Sequence, residues 1–185
     1  NNLATTEGEL MAMAQRMAAT GELAGLSTES VLALAAGLTS VGINAEAGGS
    51  AAGKLMKQMQ LAGETGRRAM QEFSEYSETA GMSARDLQLA ADSSKWVEAT
   101  AIDLGRTKKE VKDMVASMVK LEQFSGVMNV TPAQFIAGWN ENAGQSVLDF
   151  FIGLNEIETS TGEESVLSKL QEMGLTEIRL SNMIA

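Results

Sequence analysis

Seven residues, Gly48-Gly49-Ser50-Ala51-Ala52-Gly53-Lys54, fit the first seven positions of the phosphate-binding loop G-x-x-x-x-G-K-[ST]. In that loop backbone N–H groups and the lysine cradle phosphates. The eighth position is Leu55, so the hydroxyl that would hold Mg²⁺ is missing. Ile43-Asn44-Ala45-Glu46-Ala47, just upstream, is not the buried apolar strand such a loop must follow. A glycine-rich helix start explains the stretch better than nucleotide binding. Carboxylates are the remaining acid/base equipment. Glu72, Glu75 and Glu78 recur at i, i+3, i+6, the habit of an exposed helical face. That spacing does not set two opposed carboxylates across a cleft, as glycoside hydrolysis needs. The calcium-loop pattern D-x-[DN]-x-[DN]-G does not occur.

The residue types that are missing narrow the chemistry further. The chain has no histidine and no cysteine. This removes imidazole-based triads, thiolate nucleophiles, cysteine-ligated zinc and a disulfide framework. Fourteen basic against 24 acidic side chains leave a net charge of −10, a surface that repels phosphate. Lys108, Lys109 and Lys112 would be the sharpest nucleic-acid patch, but no aromatic residue interleaves with them. Among Glu110, Asp113 and Glu122 they read instead as a solvated helix with mixed pairs. The expectation is a protein that is not an enzyme, with no catalytic residue, no cofactor, no metal and no sequence-specific nucleic-acid binding.

The elements that must position any site are helices. One proline, 26 alanines and 12 methionines in 185 residues, with aromatics at 4%, favour helix over sheet. Several serines and threonines sit as N-caps, with an apolar residue just before and another four after. These are Leu26-Ser27 with Val31, Met82-Ser83 with Leu87, and Val130-Thr131 with Phe135, the last followed by Pro132 at the first helical position. Leu175-Thr176 with Leu180 is a further staple; Thr6 with Glu9 and Thr107 with Glu110 have capping-box spacing. Helices are predicted near 6–20, 27–40, 50–62, 66–80, 83–92, 107–125, 131–140, 142–155, 163–173 and 177–184. Gly21, Gly25, Gly42, Gly81, Gly126, Gly162 and Gly174 are expected as C-caps or turns. The fold class is therefore all-α, many short capped helices forming hairpins, possibly semi-extended, with little or no strand.

Core positions follow from the helical period. Leu10, Met13 and Met17 fit one stripe, and Val111, Met114, Val115, Met118 and Leu121 another. Val147, Leu148, Phe151, Ile152 and Leu154 make a wide apolar face, so that helix is expected to be buried. Met11, Met13, Met17, Met56 and Met59 fill core or line an adaptable surface, core being the default. Phe135 and Trp139, one turn apart, are candidates for core or for interface anchors. Phe73, Tyr76, Met82, Ser83 and Leu87 align with Leu121, Phe124, Val130, Thr131 and Phe135 at a constant offset of 48 positions. That spacing suggests a repeated helical hairpin, although any two capped hairpins share such a pattern. No run reaches the roughly 18 apolar residues a membrane span needs. The chain starts Asn1-Asn2 without methionine, which suggests a fragment.

Ser40-Val41-Gly42-Ile43-Asn44-Ala45-Glu46-Ala47-Gly48-Gly49, within VLALAAGLTSVGINAEAGGSAAGKLMKQM from Val31 to Met59, resembles the S-V-G-I-x-A-E-A-G-G signature of tail tape measure proteins of long-tailed bacteriophages and prophages. Thr131-Pro132-Ala133-Gln134-Phe135 leading to Trp139, then Val147 to Leu154, is similar to the next helical pair of that family. LQEMGLTEIRL, Leu170 to Leu180, is similar to its closing segment. The likeness covers about 1–60 and 121–185. Phe73 to Ser83 fits the family's intervening segment, but Leu87 to Lys120 looks like extra material before a second version. On this basis the chain divides into 1–66 (signature helices), 67–130 (partly repeat-like hairpins) and 131–185 (closing helices).

The resemblance implies a structural function: tail assembly, tail-length determination and genome ejection. It also implies tail-tip and tail-tube proteins as partners, self-association around the tail axis with a trimer favoured, and membrane contact during ejection. The protein would be assembled in the bacterial host cytoplasm and reside in the virion tail lumen or tip. Two other readings are open: a carboxylate-dependent peptidoglycan hydrolase domain using Glu72 or Glu75, and a membrane-interacting ejection segment over Ser30–Ala45.

Overall fold

A computed structural model describes residues 7–40, 45–75 and 81–175. Every regular element among them is a helix: α1 (Glu7–Leu23), α2 (Thr28–Ser40), α3 (Ala45–Glu75), α4 (Ala84–Ala91), α5 (Ser94–Asp103), α6 (Lys108–Val127), α7 (Pro132–Glu141), α8 (Ala143–Thr161) and α9 (Glu163–Glu172). No strand occurs among the described residues, so the fold is all-α. The helix predicted over 177–184 and the staple at Thr176 and Leu180 lie outside them, as do Thr6, Tyr76, Glu78 and Gly42.

One corner recurs between helices. A residue with positive φ ends a helix, one residue follows, and a Ser or Thr then caps the next helix. Gly25 (φ 82°), Gly81 (83°), Gly105 (62°) and Asn129 (52°) occupy the first place before Ser27, Ser83, Thr107 and Thr131. Where the incoming helix is fully described, the second residue's N–H reaches back five residues, to the third-last carbonyl of the helix. Leu26 donates to Gly21 at 2.8 Å, Arg106 to Ala101 at 2.8 Å and Val130 to Ser125 at 2.9 Å. This is the Schellman closure, which satisfies the orphan carbonyls of the ending helix while the cap satisfies the orphan N–H groups of the next. Capping boxes at Ser83/Asp86, Thr107/Glu110 and Thr131/Gln134 complete the junctions.

Glycine alone was a poor guide to helix ends. Gly21 and Gly126, expected to punctuate, lie inside α1 and α6, whereas Gly105 ends a helix that the apolar spacing did not mark. That helix, α5, starts at Ser93, whose hydroxyl accepts from the Trp96 N–H at 3.4 Å with no flanking staple. The predicted pair 50–62 and 66–80 is one helix, α3, which runs through Gly63 and Gly66; the boundary drawn at 66/67 falls inside it. The reason is contact. A Cβ on Gly66 would lie 2.8 Å from the Leu121 Cβ and 3.1 Å from the Ser117 carbonyl oxygen, so glycine lets α3 and α6 approach closely.

The main interior gathers α1, α2, the first part of α3, the end of α6, and α7 to α9. Met13, Met17, Met56 and Met59 are fully buried in it, so the methionines are mostly core filler; Met11, 46% exposed, is the exception. Through its middle runs an aromatic row. Trp139 stacks on Phe135, Phe135 on Phe124 (centroids 6.1 Å), Phe124 meets Phe150 at 5.6 Å, and Phe150 meets Phe151 edge-on. Each such pair adds roughly 0.5–1.5 kcal/mol beyond area burial. The wide apolar face expected of α8 is narrower in fact: Val147, Phe150 and Leu154 are buried, but Ile152 is 55% exposed. A smaller interior holds Ala69, Phe73, Leu87 and Val115, and a third cluster holds Val97, Ala101 and Val111.

Candidate functional site

The glycine-rich stretch Gly48–Lys54 lies within α3, away from any loop. Its backbone N–H groups are inside the helix, not displayed as a cradle. Gly48, Gly49 and Gly53 are buried. A Cβ on Gly49 would sit 2.8 Å from the Arg16 Cβ and 3.5 Å from the Met13 sulfur; one on Gly53 would sit 3.2 Å from the Thr20 hydroxyl. The glycines at i and i+4 thus form a groove on α3 into which α1 settles, and this helix pair packs extensively. Lys54 is exposed on the opposite side. The phosphate-loop reading is overturned by this geometry.

Of the signature, Ala45 and Glu46 open α3, Ala45 half-buried against the main interior and Glu46 exposed. Ser40 ends α2, and Ala47 lies in the first turn of α3. Val41, Gly42 and Ile43 lie outside the described residues. The signature's last glycine, Gly49, therefore begins the α3 face that receives α1.

The carboxylate row separates in space. Glu72 is held by the Arg106 guanidinium, which donates from Nη2 to Oε1 at 2.9 Å and from Nε to Oε2 at 3.2 Å. Arg106 occupies the corner position where other corners carry Leu26 or Val130. It pins the α5–α6 corner to α3 by a bidentate ion pair instead of a staple. The pairing with Glu72 raises the Arg106 pKa above its ordinary value. Glu75 accepts from the Gln71 amide at 3.3 Å, a within-helix bond. Lys108 pairs with Glu98 and Lys109 with Asp113, which makes the lysine run a partnered, exposed helix face.

Phe135 and Trp139 both lie in the main interior, Trp139 8% exposed and Phe135 1%. Their ring area is spent inside the chain. What sequence reasoning missed is a recess of about 450 Å³ beside Trp139, where the α1–α2 corner, α3 and the α7–α8 junction meet. Gln60, Glu64, Asn140, Glu141 and Asn142 line it. Gln60 donates to Glu64 at 3.2 Å, and Asn142 accepts from the Gln145 N–H at 3.0 Å as the cap of α8. The recess offers hydrogen-bonding groups, the Ser27 and Ser30 hydroxyls among them. Its lining is gathered from Leu23 to Ala143, with no pattern in the chain to announce it. Among the described residues no group of three or more Asp or Glu is placed to hold a metal ion. No described helix is long and apolar enough to cross a membrane.

Comparisons with protein-family models, with curated proteins and with solved structures find no match to this chain.

Proposed function

We propose that this chain is a structural segment of a bacteriophage tail tape measure protein, acting by contact and not by bond-making. The observation that carries the reading is the Ser40–Gly49 stretch, with its likeness to the signature of that family. The structure supplies a physical role for its last residue: Gly49 is buried on the α3 face against Met13 and Arg16 of α1. The main interior also unites the two stretches in which the likeness lies, since its buried residues run from Met13 to Ala62 and from Leu121 to Leu175. The residues between them build the smaller clusters, Phe73 and Met82 from the part that fits the family pattern and Leu87 to Val119 from the part that departs from it.

In this reading the segment is a packed helical module near one end of a longer tape, not the ruler itself. It engages tail-tip and tail-tube proteins, self-associates about the tail axis, and resides in the tail lumen. An acidic chain repels the phosphates of DNA that advances behind it. In-frame deletion of residues 1–185 from the parent gene is expected to abolish tails or alter their length in electron micrographs. Tails of normal length and infectivity would overturn the proposal.

A further inference from the structure

Two apolar interiors share one pair of long helices. α3 gives Leu55, Met56, Met59 and Ala62 to the main interior, and Ala69 and Phe73 to the smaller one. α6 gives Leu121, Phe124 and Val127 to the main interior and Val115 to the smaller. The changeover falls at the same level on both helices, because Gly66 of α3 lies against Ser117 and Leu121 of α6. Beyond that crossing, α4 and α5 pack on each other and on α6. No buried residue of α4 or α5 belongs to the main interior.

The outer interior is thin. Its buried members are Ala69, Phe73, Leu87 and Val115, joined by the small cluster around Val97. The far corner is tied back to α3 by one bidentate ion pair, Arg106–Glu72, which is partly exposed and therefore screened by solvent and salt. A unit with few buried apolar contacts opens at lower free energy than the rest of a chain. α3 also carries Gly63 and Gly66 where it leaves the main interior, and glycine weakens a helix locally.

We infer that α3 beyond Gly66, α4, α5 and α6 up to Met118 form a hairpin arm that unfolds as one unit while the main interior stays folded, the break on α3 falling at Gly63–Gly66. Opening uncovers Phe73 and Leu87 together with the half-buried Met82 and Met118, an adaptable apolar face.

Native-state hydrogen exchange of the full chain, followed by mass spectrometry at rising urea, tests this. The amides of α4, α5 and the first half of α6 are expected to share one opening with weak urea dependence. The amides of α2, α8 and the first half of α3 should open only with strong urea dependence. Leu154→Ala removes a buried leucine of the main interior, which stays packed when only the arm is open. It should speed main-interior exchange about thirtyfold or more and leave arm exchange within about twofold. A single common opening in the unmodified chain, or equal acceleration of both regions by Leu154→Ala, overturns the inference. The unmodified chain decides the matter even if the variant does not fold.

Discussion

Replacing Gly153 with alanine, beside the same change at Gly37, tests whether close helix approach organises the main interior. Both residues lie within helices, Gly153 in α8 and Gly37 in α2. In an open helical position the change is stabilising by about 1 kcal/mol, because alanine loses less conformational entropy and has the higher helix propensity. Gly37 is such a position, with nothing within 4 Å of an added Cβ. A Cβ on Gly153 would collide with the carbonyl group of Val127 and lie 3.3 Å from the Met128 Cα. The obstacle is backbone at the end of α6, which cannot rotate away as a side-chain tip would. Overpacking of this kind costs roughly 1–3 kcal/mol, and a backbone obstacle belongs at or above the top of that range. After the propensity gain, Gly153→Ala should lose about 2 kcal/mol, a gap of about 3 kcal/mol from Gly37→Ala. Urea unfolding followed by far-ultraviolet circular dichroism reads the gap directly. For a slope near the top of the roughly 1–3 kcal/mol/M range, the two midpoints should differ by about 1 M. Equal midpoints, or a stabilised Gly153→Ala, would refute the packing of α8 onto the α6–α7 corner.

Two further expectations concern the corners. Thr131→Ala removes the hydroxyl that accepts from the Gln134 N–H and should cost about 1 kcal/mol in urea unfolding, whereas Thr131→Ser should cost much less. The three capping boxes also differ in charge, which makes acid sensitivity specific to two of them. The N–H and hydroxyl of Thr107 hold the Glu110 carboxyl below its ordinary pKa, and the hydroxyl and N–H of Ser83 do the same for Asp86. A depressed folded pKa adds stability that is complete above the ordinary carboxylate range of about 4 and is lost as pH falls through the lower folded value. Gln134 does not titrate. Glu110→Gln should therefore flatten the fall in urea midpoint between pH 5 and roughly pH 2.5 while preserving the box geometry. An unchanged acid profile would show that the Thr107 bonds do not act in solution.

Much of this molecule was legible from local chemistry. The caps at Ser27, Ser83, Thr107 and Thr131 are each marked by a hydroxyl with an apolar staple, with an acidic or amide partner three residues on, or with both, because a helix start needs only residues within one turn. The offset of 48 positions is matched in the backbone as well: Gly81 and Asn129 both take positive φ, Ser83 and Thr131 both cap, and Leu87 and Phe135 are both buried. The absence of histidine and cysteine likewise bounded the chemistry without any fold.

Tertiary contact decided the rest. Whether a glycine ends a helix or admits a neighbour depends on what stands opposite it, and that neighbour can be 55 positions away, as Leu121 is from Gly66. The same stretch Gly48–Lys54 that spells most of a phosphate loop is a helix face for this reason, since α1 supplies the side chains that fill its groove. In the residue string Glu72 is one of a row of helical carboxylates; only the fold places Arg106, 34 positions on, across from it. Local propensity acts through bonds within a turn or two, so the residue string determines it; packing acts through space, so only the folded chain can say which small residues are punctuation and which are contact.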